Sequence, residues 1–169
     1  MGTETIDWTT FKKRIFIQKP LNDIYKSWST KSQIEQWFLE KANYYDKSGK
    51  ARKPNEPVQK GGRFVWKWNN WNFEEEGQIL NANGSDKLSF TFGAGGDVHI
   101  QLNERNGATE VILTQDNIPT DDKSKKEFFV GCSTGWTFWL ANLKAWLEHG
   151  ITLHVKGLSQ DETTDLVNS

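Results

Sequence analysis

Between residues 61 and 115 the chain repeats one pattern: a short alternating run of apolar and polar residues, closed by turn residues. The runs are RFVWKW (63–68), FEEEGQIL (73–80), KLSFTF (87–92), DVHIQL (97–102) and TEVILTQ (109–115), linked by NN, NANGSD, GAGG and NERNGA. Period-two alternation puts the apolar side chains of each run on one face, and short turn-rich links make neighbours antiparallel. A meander with one apolar face needs a cover. Residues 122–149 supply it, because Phe128, Cys132, Trp136, Trp139, Leu140, Leu143 and Leu147 recur at helical spacing, with Gly150 placed to end the helix. The reading is an α+β domain with one long helix packed across a sheet.

Upstream, FKKRIFIQ (11–18) reads as a first strand. Pro20 suits a first helical position, and Leu21, Ile24, Tyr25 and Trp28 trace a short amphipathic helix behind it. Thr30 followed by Gln33 reads as a capping box for a second helix over 31–39, with Ile34, Trp37 and Phe38 on one stripe. Residues 43–60, with Gly49, Pro54 and Pro57, read as a long loop. The expected layout is about six strands, an N-terminal extension over 1–10, one domain over 11–157, and a polar, disordered tail over 158–169.

Charge excludes several function classes. Twenty-one Lys and Arg against 22 Asp and Glu give a net charge of −1, which is no footprint for nucleic acid or an anionic membrane. RFVWKWNNW does interleave basic and aromatic residues, as single-strand binders do, but a helix covering that face argues against base stacking. One cysteine allows no internal disulfide and no cysteine-built metal site, and no two histidines sit at ligand spacing. No metal and no cofactor are therefore expected. MGTETIDWTTFKKR has no apolar leader core, and no apolar run approaches membrane-spanning length, so a cytoplasmic protein without membrane insertion is the expectation.

The element order resembles the START-like helix-grip (SRPBCC) superfamily. The stretches PLNDIYKSWST into IEQWF (20–38), GGRFVW (61–66), EGQIL (76–80), KLSFTF (87–92), EVILTQ (110–115) and GWTFWLANLKAWLEHG (135–150) narrow it to one family. That family is named for the activator of heat-shock-protein-90 ATPase, and the likeness is to its single-domain, bacterial-type members. The resemblance implies a curved antiparallel sheet gripping the C-terminal helix, with a cavity between them. In that superfamily the cavity often holds hydrophobic small molecules. Some relatives are cyclases or dehydratases, and eukaryotic members of the family stimulate a chaperone ATPase.

Phe64, Trp66 and Trp68 share one strand face. Either they fill the core beneath the helix, or some of them line a cavity suited to a flat or lipid-like ligand. With the implied fold, the expected cavity lining is Trp37, Phe38, Phe64, Trp66, Trp68, Phe73, Phe90, Phe92, Trp136, Trp139, Leu140 and Leu143. Trp71 is expected at a hairpin end, as a cap or part of an entrance, with GAGG as a flexible hairpin near the mouth. If Phe73 faces inward so does Glu75, while Glu74 and Glu76 face out; a carboxyl there would have a raised pKa and could act as acid or base. The alternative is that a bulge or edge leaves all three solvated. Tyr45 and Glu75 are the candidate orienting groups. His99 is expected on the outer face, His149 at a helix end, His154 beyond it, and Cys132 as a small buried hydrophobe. The expected function is binding of a hydrophobic small molecule without catalysis. The alternatives are a cyclase or dehydratase using Glu75, and a partner protein contacting a chaperone or a second copy of the chain.

Overall fold

The computed structural model describes residues 5–169. Seven strands form one antiparallel sheet in the order β1-β7-β6-β5-β4-β3-β2. They are β1 Phe11–Ile17, β2 Lys41–Tyr45, β3 Arg63–Lys67, β4 Glu74–Ala82, β5 Lys87–Thr91, β6 Asp97–Arg105 and β7 Ala108–Asp116. Helices α1 Leu21–Ser29 and α2 Lys31–Trp37 follow the first strand, and the last strand leads into the long helix. This is the expected helix-grip architecture.

The strand count is seven rather than six. β2 lies where a long loop was expected, in KANYY, which has no apolar run to announce it. Its alternation is nonetheless real: Ala42 and Tyr44 are buried, while Asn43 and Tyr45 between them are only partly so. The strand pairs with β3 from Lys41↔Lys67 to Tyr45↔Arg63. The loop proper begins after it and is pinned at Val58, whose N–H bonds to Ser29 O at 2.8 Å.

The long helix spans 28 residues but is not uniform. Asp121 caps it, its carboxylate accepting from Ser124 N at 3.0 Å and Ser124 Oγ at 2.6 Å. One α-turn, α3 Asp122–Ser124, passes into a π-helical stretch, Lys125–Gly131, before α4 runs from Cys132 to His149. Such inserts cluster at functional sites because they rotate the side chains that follow. Gly150 closes the helix in the left-handed region, φ 69°.

Both ends of the described chain are packed. Trp8, in the expected N-terminal extension, meets Phe129 edge-on at 5.0 Å, and Thr9 O accepts from Ile118 N. The segment expected to be disordered, 158–169, is ordered. Gly157 turns the chain back, Ser159 and Glu162 form a reciprocal capping box, and Val155 N bonds to Asn168 O at 2.8 Å. Its polar composition is stabilised by side-chain-to-backbone hydrogen bonds rather than by apolar burial.

Asn142, fully buried on α4, ties three segments together. Its Nδ2 donates to Trp37 O at the end of α2 and to His154 Nδ1 at 3.2 Å, and its Oδ1 accepts from Leu153 N at 2.6 Å. His154 Nδ1 must accept here, so the ring is neutral, and burial also holds its pKa below the usual histidine value.

Candidate functional site

The aromatic residues sort by depth along their strands. On β3 Phe64 and Trp66 are stacked at 4.0 Å and buried, with the Trp66 indole N–H donating to Tyr44 Oη at 3.3 Å. Trp68, two residues further along the same face, is only half-buried. On β5 Phe90 is buried, and Phe92 just beyond its end is half-buried. The strand centres lie under the helices, and the strand ends open onto space.

Phe38 joins the two layers. Its ring stacks on Trp37 at 5.1 Å and on Trp136 at 5.3 Å, and meets Trp68 at 4.7 Å and Trp139 at 5.2 Å edge-on. Edge-to-face and offset stacking are the favoured ring geometries, so the cluster is a stiff wall rather than loose filling.

Beyond this wall lies a broadly open cavity of about 1440 Å³. Strand β4 contributes Glu75, the chain just beyond β3 and β5 contributes Trp68 and Phe92, and the rest of the β3–β4 loop adds Asn69, Trp71 and Phe73. The π-helical stretch and α4 contribute Phe128, Cys132, Trp136 and Trp139, and residues 165–167 close one flank. Gly131 and Gly135, four residues apart, lie on the cavity face of the helix. A Cβ at Gly135 would meet nothing within 4 Å, and one at Gly131 only Lys126 O at 3.6 Å. A mid-helix glycine costs about 1 kcal/mol relative to alanine. Side chains at these two positions would extend into the open space beside the helix.

Glu75 is the ionisable group that β4 contributes to the cavity. The β3–β4 register sets Glu75 opposite Trp66, with Glu74 and Glu76 exposed on the other face. Burial pushes its carboxyl up to about 7, opposed by the nearby Trp68 indole N–H and Gly93 amide. Neither closes a hydrogen bond: Glu75 Oε1 and Trp68 Nε1 are buried without a partner, as is Asn69 Nδ2. Three orphaned polar atoms on residues lining one aromatic cavity are far from the usual satisfied interior. Burial also raises the Cys132 thiol, which leaves it protonated and a poor nucleophile.

The Glu75 shift has a consequence for stability. The native carboxyl keeps its proton up to about pH 7, whereas its ordinary value is 4.5, so its burial is tolerated fully at low pH and opposes folding as pH rises through that window. Glu75→Gln should therefore stabilise the protein by about 1–3 kcal/mol at about pH 8. The gain should shrink as the pH falls to 4.5. Urea unfolding at several pH values measures it; a pH-independent difference would contradict the assignment.

Of the expected lining residues, Phe38, Trp68, Phe73, Phe92, Trp136 and Trp139 do border the cavity, and Glu75 joins them. Trp37, Phe64, Trp66, Phe90, Leu140 and Leu143 are instead packed in the core, each under 4 % exposed. Phe73 is an outlier at 49 % exposure, stacked edge-on against Trp71 at the rim. Tyr45 is not at the site. It points out from edge strand β2, where Arg63 lies over its ring at 4.2 Å, because alternation gives the inward place to Tyr44. Cys132 is half-buried on the cavity wall rather than fully enclosed. His99 lies away from it, half-exposed between Ser89 Oγ at 2.9 Å and Asp116 Oδ1 at 3.0 Å. Asn69 and residues 165–167 were not anticipated.

Residues 18–148 match the protein family described as Activator of Hsp90 ATPase homolog 1-like protein. No functionally curated protein matches the chain in sequence. Among solved structures, a protein of Staphylococcus saprophyticus is similar at 19% identity and a TM-score of 0.69, over 88% of this chain and 98% of its own. The Aha1 dimer of Colwellia psychrerythraea is similar at 18% identity and a TM-score of 0.65, over 83% and 97%. An HSP90 activator of Plasmodium falciparum is similar at 15% identity and a TM-score of 0.58, over 82% and 96%. At these identities the likeness carries the fold alone. No helix among the described residues is long and apolar enough to cross a membrane, and no cluster of potential metal ligands occurs among them.

Proposed function

We propose, for a chain that belongs to the Activator of Hsp90 ATPase homolog 1-like family, that the aromatic cavity binds a hydrophobic small molecule without transforming it. The observation that carries this reading is the helix stripe of Gly131 and Gly135, which leaves a ring-lined space open where side chains would fit. Apolar burial provides the affinity, at about 25 cal/mol per Å² removed from water. Trp68, Asn69 and Glu75 supply polar groups for orientation. The neutral fluorophore N-phenyl-1-naphthylamine tests it: a saturable fluorescence rise at one site per chain is expected, and a linear, unsaturable response would overturn the reading.

Two other readings use the same molecule. Glu75, with its pKa near 7, would suit acid–base work by a cyclase or dehydratase, and loss of turnover in Glu75→Gln with ligand affinity retained would identify it. The family description supports a partner role at a chaperone, which would appear as stimulation of the chaperone's ATPase.

A further inference from the structure

We infer that the ligand of this cavity is an amphipathic organic cation, its ammonium group beside Glu75 and against the half-buried rings of Trp68 and Phe92, its apolar body along the aromatic wall. The inference rests on the ligand-binding reading above and narrows it to a charge class.

The first support is uncompensated charge. The lining residues that carry charge are Glu75, Glu127 and Asp165 against Lys13, three acids to one base. Among the described residues Glu75 enters no salt bridge. Its Oε1 is buried with no hydrogen-bond donor closing on it. A buried carboxylate of this kind is costly unless a cation pairs with it. Above about pH 7, where Glu75 is ionised, an anionic ligand would be repelled and an uncharged one would leave the carboxylate unpaired.

The second support is the ring arrangement. Trp68 and Phe92 stand 5.9 Å apart edge-on, and Phe92 and Trp136 are 5.3 Å apart at a tilt. Ring faces attract cations through their quadrupole, and grouped aromatic rings are a recurrent device for recognising organic ammonium groups. Trp68 is both in this group and next to the carboxyl, so ion pairing and cation–π attraction would act at one point.

The groups facing Glu75 come from every neighbouring element: the Trp68 indole after β3, the Gly93 amide after β5 and the Cys132 thiol on α4. Glu127, Lys13 and Asp165 complete the charged lining. The Cys132 thiol stays protonated, so Glu75 is the group whose charge changes near neutrality. Cation affinity should rise as the pH climbs through about 7, and binding should release a proton.

The test compares two isosteric probes on the full chain, benzyltrimethylammonium and its uncharged carbon analogue neopentylbenzene. At about pH 8 the cation should bind about tenfold more tightly, with the margin narrowing as Glu75 protonates. Glu75→Gln should bring the two probes close to parity and abolish the pH dependence, whereas Glu127→Gln should retain the preference. Equal affinity in the wild type, tighter binding of the neutral probe, or a preference unchanged in Glu75→Gln overturns the inference. Binding of neither overturns it too. The uncharged fluorophore titration reports separately on whether the cavity takes ligands at all.

Discussion

Asn142→Ala should destabilise the protein by about 2–4 kcal/mol, because the buried Trp37 carbonyl loses its partner and the bonds to Leu153 N and His154 Nδ1 go with it. Trp37 O at the end of α2 and Leu153 N beyond α4 both bond to this one amide; Trp37 is fully buried, whereas Leu153 is exposed. Leaving a buried donor or acceptor unsatisfied costs about 1–3 kcal/mol each. Set against a total stability of about 5–15 kcal/mol, that is a large fraction. His154 would lose its Nδ1 donor in the same step. The segment after Gly150, held to α4 through this residue, should become the first site of proteolytic cleavage. Thermal and urea unfolding with limited proteolysis measures the effect. A loss below about 1 kcal/mol would show that the amide is replaceable by water.

Gly135→Phe should abolish most ligand binding while leaving the fold intact. The position lies mid-helix, needs no positive φ, and has nothing within 4 Å of its would-be Cβ. Replacing a helical glycine by phenylalanine gains about 0.5 kcal/mol from propensity alone, so stability should hold or rise slightly. The phenyl ring would enter the cavity between Cys132 and Trp139, which flank Gly135 on the same helix face. Affinity for N-phenyl-1-naphthylamine should fall at least about tenfold, equivalent to about 1.4 kcal/mol. Tighter packing with lost binding would mark the space as functional. Unchanged affinity would place the ligand elsewhere.

The contrast between these two sites explains what could be read from the sequence. Period-two alternation follows from backbone geometry, so FEEEGQIL showed the strand and set Glu75 on the face opposite Glu74 and Glu76, but it left open whether that face was inward or all three were solvated. The same alternation says which face a ring is on and not how deep it lies. Trp66 and Trp68 are indistinguishable by pattern, yet one is core and the other cavity wall, because only the strand end emerges from beneath α2 and α4. β2 was missed because a short edge strand of mixed polarity carries little periodic signal. The C-terminal segment was missed for a different reason. Its order comes from Asn70, Asn142 and Asn168, whose bonds to the backbone of 153–158 span long separations that no local pattern records.

Glycine was the overlooked signal. Gly131 and Gly135 recur at helical spacing on the face that also carries Trp139, in a helix otherwise rich in large side chains. Helical spacing of glycines between bulky neighbours marks a groove, just as spacing of leucines marks a packed seam.

The most direct measurement is native mass spectrometry of the full chain purified gently from its own cells, beside Gly135→Phe purified in the same way. The cavity reading predicts a discrete extra mass on the wild type that is lost on denaturation and missing from the variant. A bare wild-type mass, or the same adduct on both proteins, would contradict it.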